Sequence, residues 1–396
     1  VNDTRSTGSA RLRALDGLRG CLALIVVLSH SMTTVDPPST FAQNPLLWIV
    51  TYTPLHLAWS GQSAVYVFFV LSGFVLVWPE RDRPTRNWLA WYARRLTRLY
   101  FPIWAAMVFS YLLYLTVPRP VTSGTSAWLA LHSGHYTPLD LLHDAILLGG
   151  VSPILNTAFW SLQWEVAFSL LLPLLALVAL RVRRRATALA LAVVCVAASA
   201  AGQIGAVDAV LSHFDLSLAL TYLPMFGIGA LMAASADDIE RAVGWLSRAP
   251  LAVGALWASA LAGMVWHDLR EPQLSTAPAV VAAALLVALF AFSASGQRIG
   301  MWRPIGWLGE RSFSIYLVHG PIVVSLAYHL AHAVLPWAML VTALPLAIVA
   351  GHFFYRFVEH PLHGFSRRIG AAVASLRVPE PSPERDRLAP PTPTES

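Results

Sequence analysis

The sequence predicts an all-α, polytopic membrane protein with about ten transmembrane helices and both termini in the cytoplasm. Three observations predict it. Of the 396 residues, 56% are hydrophobic and only 12% charged, about half the charge of an ordinary soluble domain. Apolar runs long enough to span a bilayer recur along the whole chain, too often for one anchor or a signal peptide. The 27 basic residues, all of them arginine, gather in alternate connections, as the positive-inside rule requires.

Hydropathy places spans near 16–34, 61–79, 99–117, 160–180, 186–203, 216–234, 250–266, 276–294, 311–333 and 336–357. Before the first span lie Arg5, Arg11 and Arg13, with Arg19 just inside it. Arg81, Arg83, Arg86, Arg94, Arg95 and Arg98 sit around the second connection, and Arg181, Arg183, Arg184 and Arg185 around the fourth. Arg241 and Arg248 mark the sixth, and Arg298, Arg303 and Arg311 the eighth. Only Arg119 and Arg270 fall in odd-numbered connections. The chain divides into a cytoplasmic N-terminal segment (1–15), a membrane domain (16–362) and a cytoplasmic tail (363–396). The tail is Pro-rich, charged and expected to be disordered from about 379. The longest external loop, 118–159, carries an amphipathic stretch at 138–150 that is too short to span. Cys21 and Cys195 both fall in apolar helices, so no disulfide framework is indicated. The high pI of 9.6 reflects topological arginines and not a nucleic-acid surface. An arginine-only basic complement fits a GC-rich bacterial genome.

The chemistry concentrates at the start of the first span. Asp16, Arg19 and His30 lie on what reads as one membrane helix. An offset of eleven residues is three turns plus roughly 20°, so Arg19 and His30 share a face, about 16 Å apart along the axis. Ionisable groups on a membrane helix mark function by default, because burying them in lipid is costly. His30 can serve as a general base or nucleophile. Arg19, between Gly17 and Gly20, suits a phosphate, while Asp16 can cap the helix and the glycines admit a close neighbour. Glu165, entering on its own helix from outside, reaches a depth close to that of His30, as a carboxylate that could orient it. Arg94, Arg95 and Arg98 suit a polyphosphate at the cytoplasmic face, although such clusters commonly only fix orientation. Ser72 sits beside Gly73 in an apolar helix, with close packing at the glycine. Tyr316 and His319 lie on a late helix whose histidine could face the same cavity. Arg356 and Glu359 read as an i,i+3 ion pair. His132, His135, Asp140, His143 and Asp144 cluster in the external loop without a recognised metal spacing, so no metal site is expected.

These motifs, in this order, resemble the acyltransferase-3 family of integral membrane O-acyltransferases. Leu-Asp-Gly-Leu-Arg-Gly (15–20) running to His30 resembles its Arg-x10-His signature. Phe-Phe-Val-Leu-Ser-Gly-Phe (68–74) and the arginines at 94, 95 and 98 resemble its second-helix motif and cytoplasmic cluster. Phe-Trp-Ser-Leu-Gln-Trp-Glu (159–165), Ser-Ile-Tyr-Leu-Val-His (314–319) and Arg-Phe-Val-Glu-His-Pro (356–361) resemble its later elements. The resemblance covers residues 11 to about 362.

It implies transfer of an acyl group, acetyl by default, from cytoplasmic acyl-CoA to a hydroxyl of a sugar-containing acceptor, in a bacterial plasma membrane. The acceptor would be a cell-surface glycan or a macrolide-type metabolite. It also implies that His30 and Arg19 are essential and that the cytoplasmic arginines hold CoA. Family members often carry a second Glu after the position of Glu165; here Val166 stands there. The competing class is a small-molecule or proton-coupled transporter using His30 and Glu165 as a relay. That class predicts an internal repeat, and the sequence shows none.

Overall fold

The computed structural model describes residues 3–34, 45–82, 84–85, 87–123, 125–148, 150–204, 216–268, 272–330 and 336–376. Their regular structure is entirely helical. In order the helices are α1 (Asp3–Thr33), α2 (Pro45–Tyr52), α3 (Gly61–Val77), α4 (Trp88–Thr116), α5 (Ala127–Ala130), α6 (Pro138–Asp144), α7 (Phe159–Leu170), α8 (Leu172–Arg181) and α9 (Arg185–Ala201). They continue with α10 (Leu216–Ala234), α11 (Ala236–Leu246), α12 (Pro250–Asp268), α13 (Pro272–Phe292), α14 (Ala294–Gly300), α15 (Arg303–Leu330), α16 (Pro336–Phe354) and α17 (His360–Ser375).

Every expected span overlaps these helices, the span 160–180 being divided between α7 and α8. By length and apolar composition α3, α4, α10, α13, α15 and α16 can each cross a membrane, and α7 with α8 makes a further span if the two count as one. The last two meet at 62°, beside Pro173, which offers no backbone N–H to continue the ladder. α9 and α12 are apolar but shorter. The chain is a multi-pass membrane protein.

The first helix departs from expectation at its start. The segment 1–15 was expected to precede the span, yet from Asp3 it continues the helix. Arg11, expected to be a topological charge, is buried: it donates to the Ala291 carbonyl at 3.1 Å and to Glu240 at 2.7 Å. Its guanidinium lies over Trp78 and Phe292. The tail from 379 lies outside the described residues, as do Arg83, Arg86 and Arg270.

α1 lies along α15, α3 against α10, α12 against α13, and α4 against α17. Helices α3, α13 and α15 are the most enclosed. Glycines let the inner helices touch backbone to backbone. A Cβ on Gly73 would collide with the Phe226 carbonyl, and one on Gly229 with the Val70 carbonyl. The glycines around Arg19 do the same work. Gly17 meets Gly300, and a Cβ on Gly20 would stand 2.6 Å from the Gly309 nitrogen. The close neighbour those glycines admit is therefore a backbone.

Candidate active site

Two cavities border α1, one at Arg19 in its middle and one at His30 near its C-terminal end, and share Val65 and Tyr316 in their walls. The first, the basic cavity, is lined by Arg19, Ser72, Arg95, Arg98, Glu165 and Glu359 among apolar side chains. The second, the aromatic cavity, encloses about 810 Å³ and is lined by His30, Trp59, Gln62, Trp128, Trp160 and Tyr222. Because α1 is unbroken between Arg19 and His30, their spacing is a rise of about 16 Å. One helix face therefore connects the two cavities.

His30 is held by a second histidine. Its Nδ1 lies 3.0 Å from His319 Nε2, and the rings stack with centroids 5.0 Å apart. The partner is fully buried on α15, and its Nδ1 reaches the Tyr316 carbonyl at 2.6 Å. Local sequence explains the placement. Pro321 has no N–H and so leaves the Leu317 carbonyl without its helical donor. Asn156 takes that carbonyl with Nδ2 at 2.9 Å and reaches Ser110 Oγ at 3.2 Å. Gly320 gives the asparagine room, since a Cβ there would stand 2.7 Å from its Oδ1.

The expected partnership of Glu165 with His30 is not found. Depth along a helix says nothing about which way it is turned, and Glu165 lies in the basic cavity, paired with Arg95 at 2.8 Å. An arginine inside a membrane bundle requires such a counter-charge. Ser169 also holds Arg95, at 3.4 Å from Nε. Arg98 faces the cavity with no carboxylate within 4.0 Å among the described residues, and Arg19 has only a loose contact with Asp16 at 3.6 Å. Arg94, expected to join the cluster, does not line the cavity: it is exposed and its stem lies against Gly370 of α17. Asp16 stands behind Arg19 rather than in the cavity wall.

Tyr316 Oη is 2.7 Å from Ser161 Oγ in the partition between the cavities. The Arg356–Glu359 pair does not form. A π turn at Tyr355–Glu359 widens the helix and changes which side chains share a face. Glu359 is instead buried, accepts from Ser314 Oγ at 2.5 Å and borders the basic cavity.

The 118–159 loop closes over the histidine. Trp128 sits with its ring 5.2 Å from His30 and 4.5 Å from His132. Arg119 ties this loop together through the carbonyls of His132 and Ile154. The loop carboxylates have structural partners: Asp140 forms a capping box with Thr137, and buried Asp144 accepts from Tyr136 Oη at 2.8 Å. Burial, reinforced by Arg119, holds His132 down at about 4. Since its unfolded value is near 6.5, the unfolded chain binds the extra proton first as pH falls. Loop stability from this group is therefore intact above pH 6.5 and lost between 6.5 and 4, by up to about 3 kcal/mol. Trp128 fluorescence is expected to report loop opening over that range, and His132→Gln to flatten the response.

Sequence reasoning missed Trp128, Asn156 and the burial of Glu359. The Gly-Pro pair at 320–321 was the available signal that a backbone carbonyl near His319 needed an outside donor.

The multi-pass helical bundle thus places a basic cavity beside a histidine site. The acyltransferase-3 family, described as an acyltransferase domain, matches residues 12–356, and the chain belongs to it. The chain is similar to acyltransferase MdmB of Streptomyces mycarofaciens, with 29% identity over 94% of this chain and 96% of the relative. It is also similar to the putative peptidoglycan O-acetyltransferase YrhL of Bacillus subtilis, with 34% identity over 22% of this chain and 15% of that protein. No solved structure matches it.

Proposed function

We propose that this chain moves an acyl group, acetyl by default, from cytoplasmic acyl-CoA to a hydroxyl of a sugar-containing acceptor. The observation that carries the reading is the α1 face that starts at Arg19 in the basic cavity and ends at His30 in the aromatic one. Arg19 and Arg98 are the cations with least carboxylate engagement, so CoA phosphates fall to them first, with Arg95 beside them. The narrow pantetheine arm then follows α1 toward the partition. The acceptor enters the aromatic cavity, whose tryptophan and tyrosine faces suit the apolar faces of sugar rings. The name of the Bacillus relative supports a glycan acceptor; a glycosylated macrolide-type metabolite would also present a sugar hydroxyl.

His30 takes the hydroxyl proton as the acceptor oxygen attacks the thioester carbon. The carbon–sulfur bond breaks, and the proton passes from His30 to the departing thiolate. Arginine placement supports ten crossings with both termini cytoplasmic in a bacterial plasma membrane. Four helical stretches would supply crossings beyond the six long apolar helices: α1, the α7–α8 pair, α9 and α12.

The test is label transfer from radiolabelled acetyl-CoA into glycan, lipid and small-molecule fractions. Membranes with the native chain are compared with membranes holding equal amounts of His30→Ala. Transfer by the native chain is expected to fall at least 10²-fold in the variant. Equal labelling by both would remove His30 from the chemistry.

A further inference from the structure

The geometry points to His319 as the positioning residue that fixes the tautomer and aim of His30, in the place where a carboxylate commonly serves. This rests on the acyl-transfer reading above and adds to it a specific role for a second histidine.

The argument follows the direction of two hydrogen bonds. A backbone carbonyl can only accept, so the bond from His319 Nδ1 to the Tyr316 carbonyl, 2.6 Å long, puts the proton on that nitrogen. In the neutral ring Nε2 then carries the lone pair and can only accept. It lies 3.0 Å from His30 Nδ1, which must therefore donate. That leaves the lone pair of His30 on Nε2, the nitrogen available to a substrate in the aromatic cavity it borders. The order of bonds is Tyr316 carbonyl, His319, His30, acceptor hydroxyl. It has the logic of a catalytic triad, in which a fixed acceptor behind the base selects its tautomer. Here the fixed acceptor is uncharged.

The surroundings support a dedicated arrangement. His319 has no exposure to solvent. Its carbonyl anchor belongs to the turn of α15 that Pro321 interrupts and Asn156 repairs. Trp128 covers His30 from the loop side, with ring centroids 5.2 Å apart. The histidine ring is thus gripped between one hydrogen bond and one aromatic contact. Glu165, bonded to Arg95, is left to the basic cavity.

When His30 accepts the acceptor's proton on Nε2, both its nitrogens carry protons and the ring is cationic. The hydrogen bond to His319 Nε2 then becomes charge-assisted and shortens. His319 loses no proton and gains none over the cycle. The proton on His30 Nε2 goes on to the thiolate, so the pair ends each turnover as it began.

The experiment compares the native chain, His30→Ala, His319→Gln and His319→Leu in acetyl-CoA transfer, with kcat and the acetyl-CoA KM measured separately. Glutamine offers its amide oxygen near the position of His319 Nε2 and can accept from His30 Nδ1; leucine cannot. The expected result is a fall in kcat of about 10²-fold for His319→Leu with KM unchanged. His319→Gln is expected to recover at least tenfold of that loss. Nitrogen-15 NMR of histidine-labelled protein, with His30 assigned by loss of its signals in His30→Ala, supplies a readout independent of turnover. It is expected to show His30 protonated at Nδ1 and bare at Nε2. The opposite tautomer would overturn the proposal, as would native kcat in His319→Leu or equal defects in the Leu and Gln variants. Full activity in His30→Ala would instead overturn the acyl-transfer mechanism on which the proposal rests.

Discussion

Arg95→Ala is expected to lower the thermal midpoint of the purified protein and to raise the acetyl-CoA KM about tenfold. The two effects have separate origins. Arg95 and Glu165 are 2.8 Å apart, with side chains only 16% and 23% exposed. Removing one partner strands the other in the bundle. A fully buried pair costs about 3–5 kcal/mol to break, and access from the cavity reduces that to about 2–3 kcal/mol. The KM effect reflects one lost cation near the phosphates, worth about 1.4 kcal/mol. Arg95→Gln combined with Glu165→Gln removes both charges and is expected to recover most of the midpoint but none of the KM. Recovery of both together would mean that Arg95 matters only as the partner of Glu165.

Gly73→Val is expected to prevent a folded, monodisperse protein from being recovered in detergent. The added atoms would occupy the position of the Phe226 carbonyl on α10, and a backbone cannot swing aside as a flexible side chain can. Overpacking of this kind costs upward of about 3 kcal/mol, a large part of the stability of a typical domain. Gly244→Ala is the internal control. Nothing lies within 4 Å of its added Cβ, and the residue is in the interior of α11. It is expected to raise the midpoint slightly, by the helix preference of Ala over Gly of about 1 kcal/mol. Fluorescence-detected size exclusion distinguishes the two outcomes directly.

The helices were legible because lipid imposes a simple requirement: a spanning segment must satisfy its backbone internally and present apolar side chains. That is why every expected span meets a helix. The start of α1 was not legible in the same way. Residues before Leu12 are mostly polar, and their helix is supported by Arg11 reaching Ala291 and Glu240, 280 and 229 positions away. Within the site, the Arg19–His30 register could be read because it is local to one helix. The bond between His30 and His319 joins positions 289 apart, and hydropathy gives depth without rotation. The same limit sent Glu165 to the wrong partner. The π turn at Tyr355–Glu359 has no signature in spacing, so the i,i+3 rule was applied where the helix does not obey it.

The partition at Val65 and Tyr316 has an electrical consequence. On the proposed topology each cavity opens to its own side of the membrane, so the transmembrane voltage would fall over the partition between them. One charge moved through the whole of such a field is worth about 2.3 kcal/mol per 100 mV. On the proposed reading, the hydroxyl proton passes to the thiolate while the acyl group passes to the acceptor oxygen, and the two transfers balance in charge. The exchange therefore moves no net charge, and turnover in sealed vesicles is expected to be independent of an imposed membrane potential.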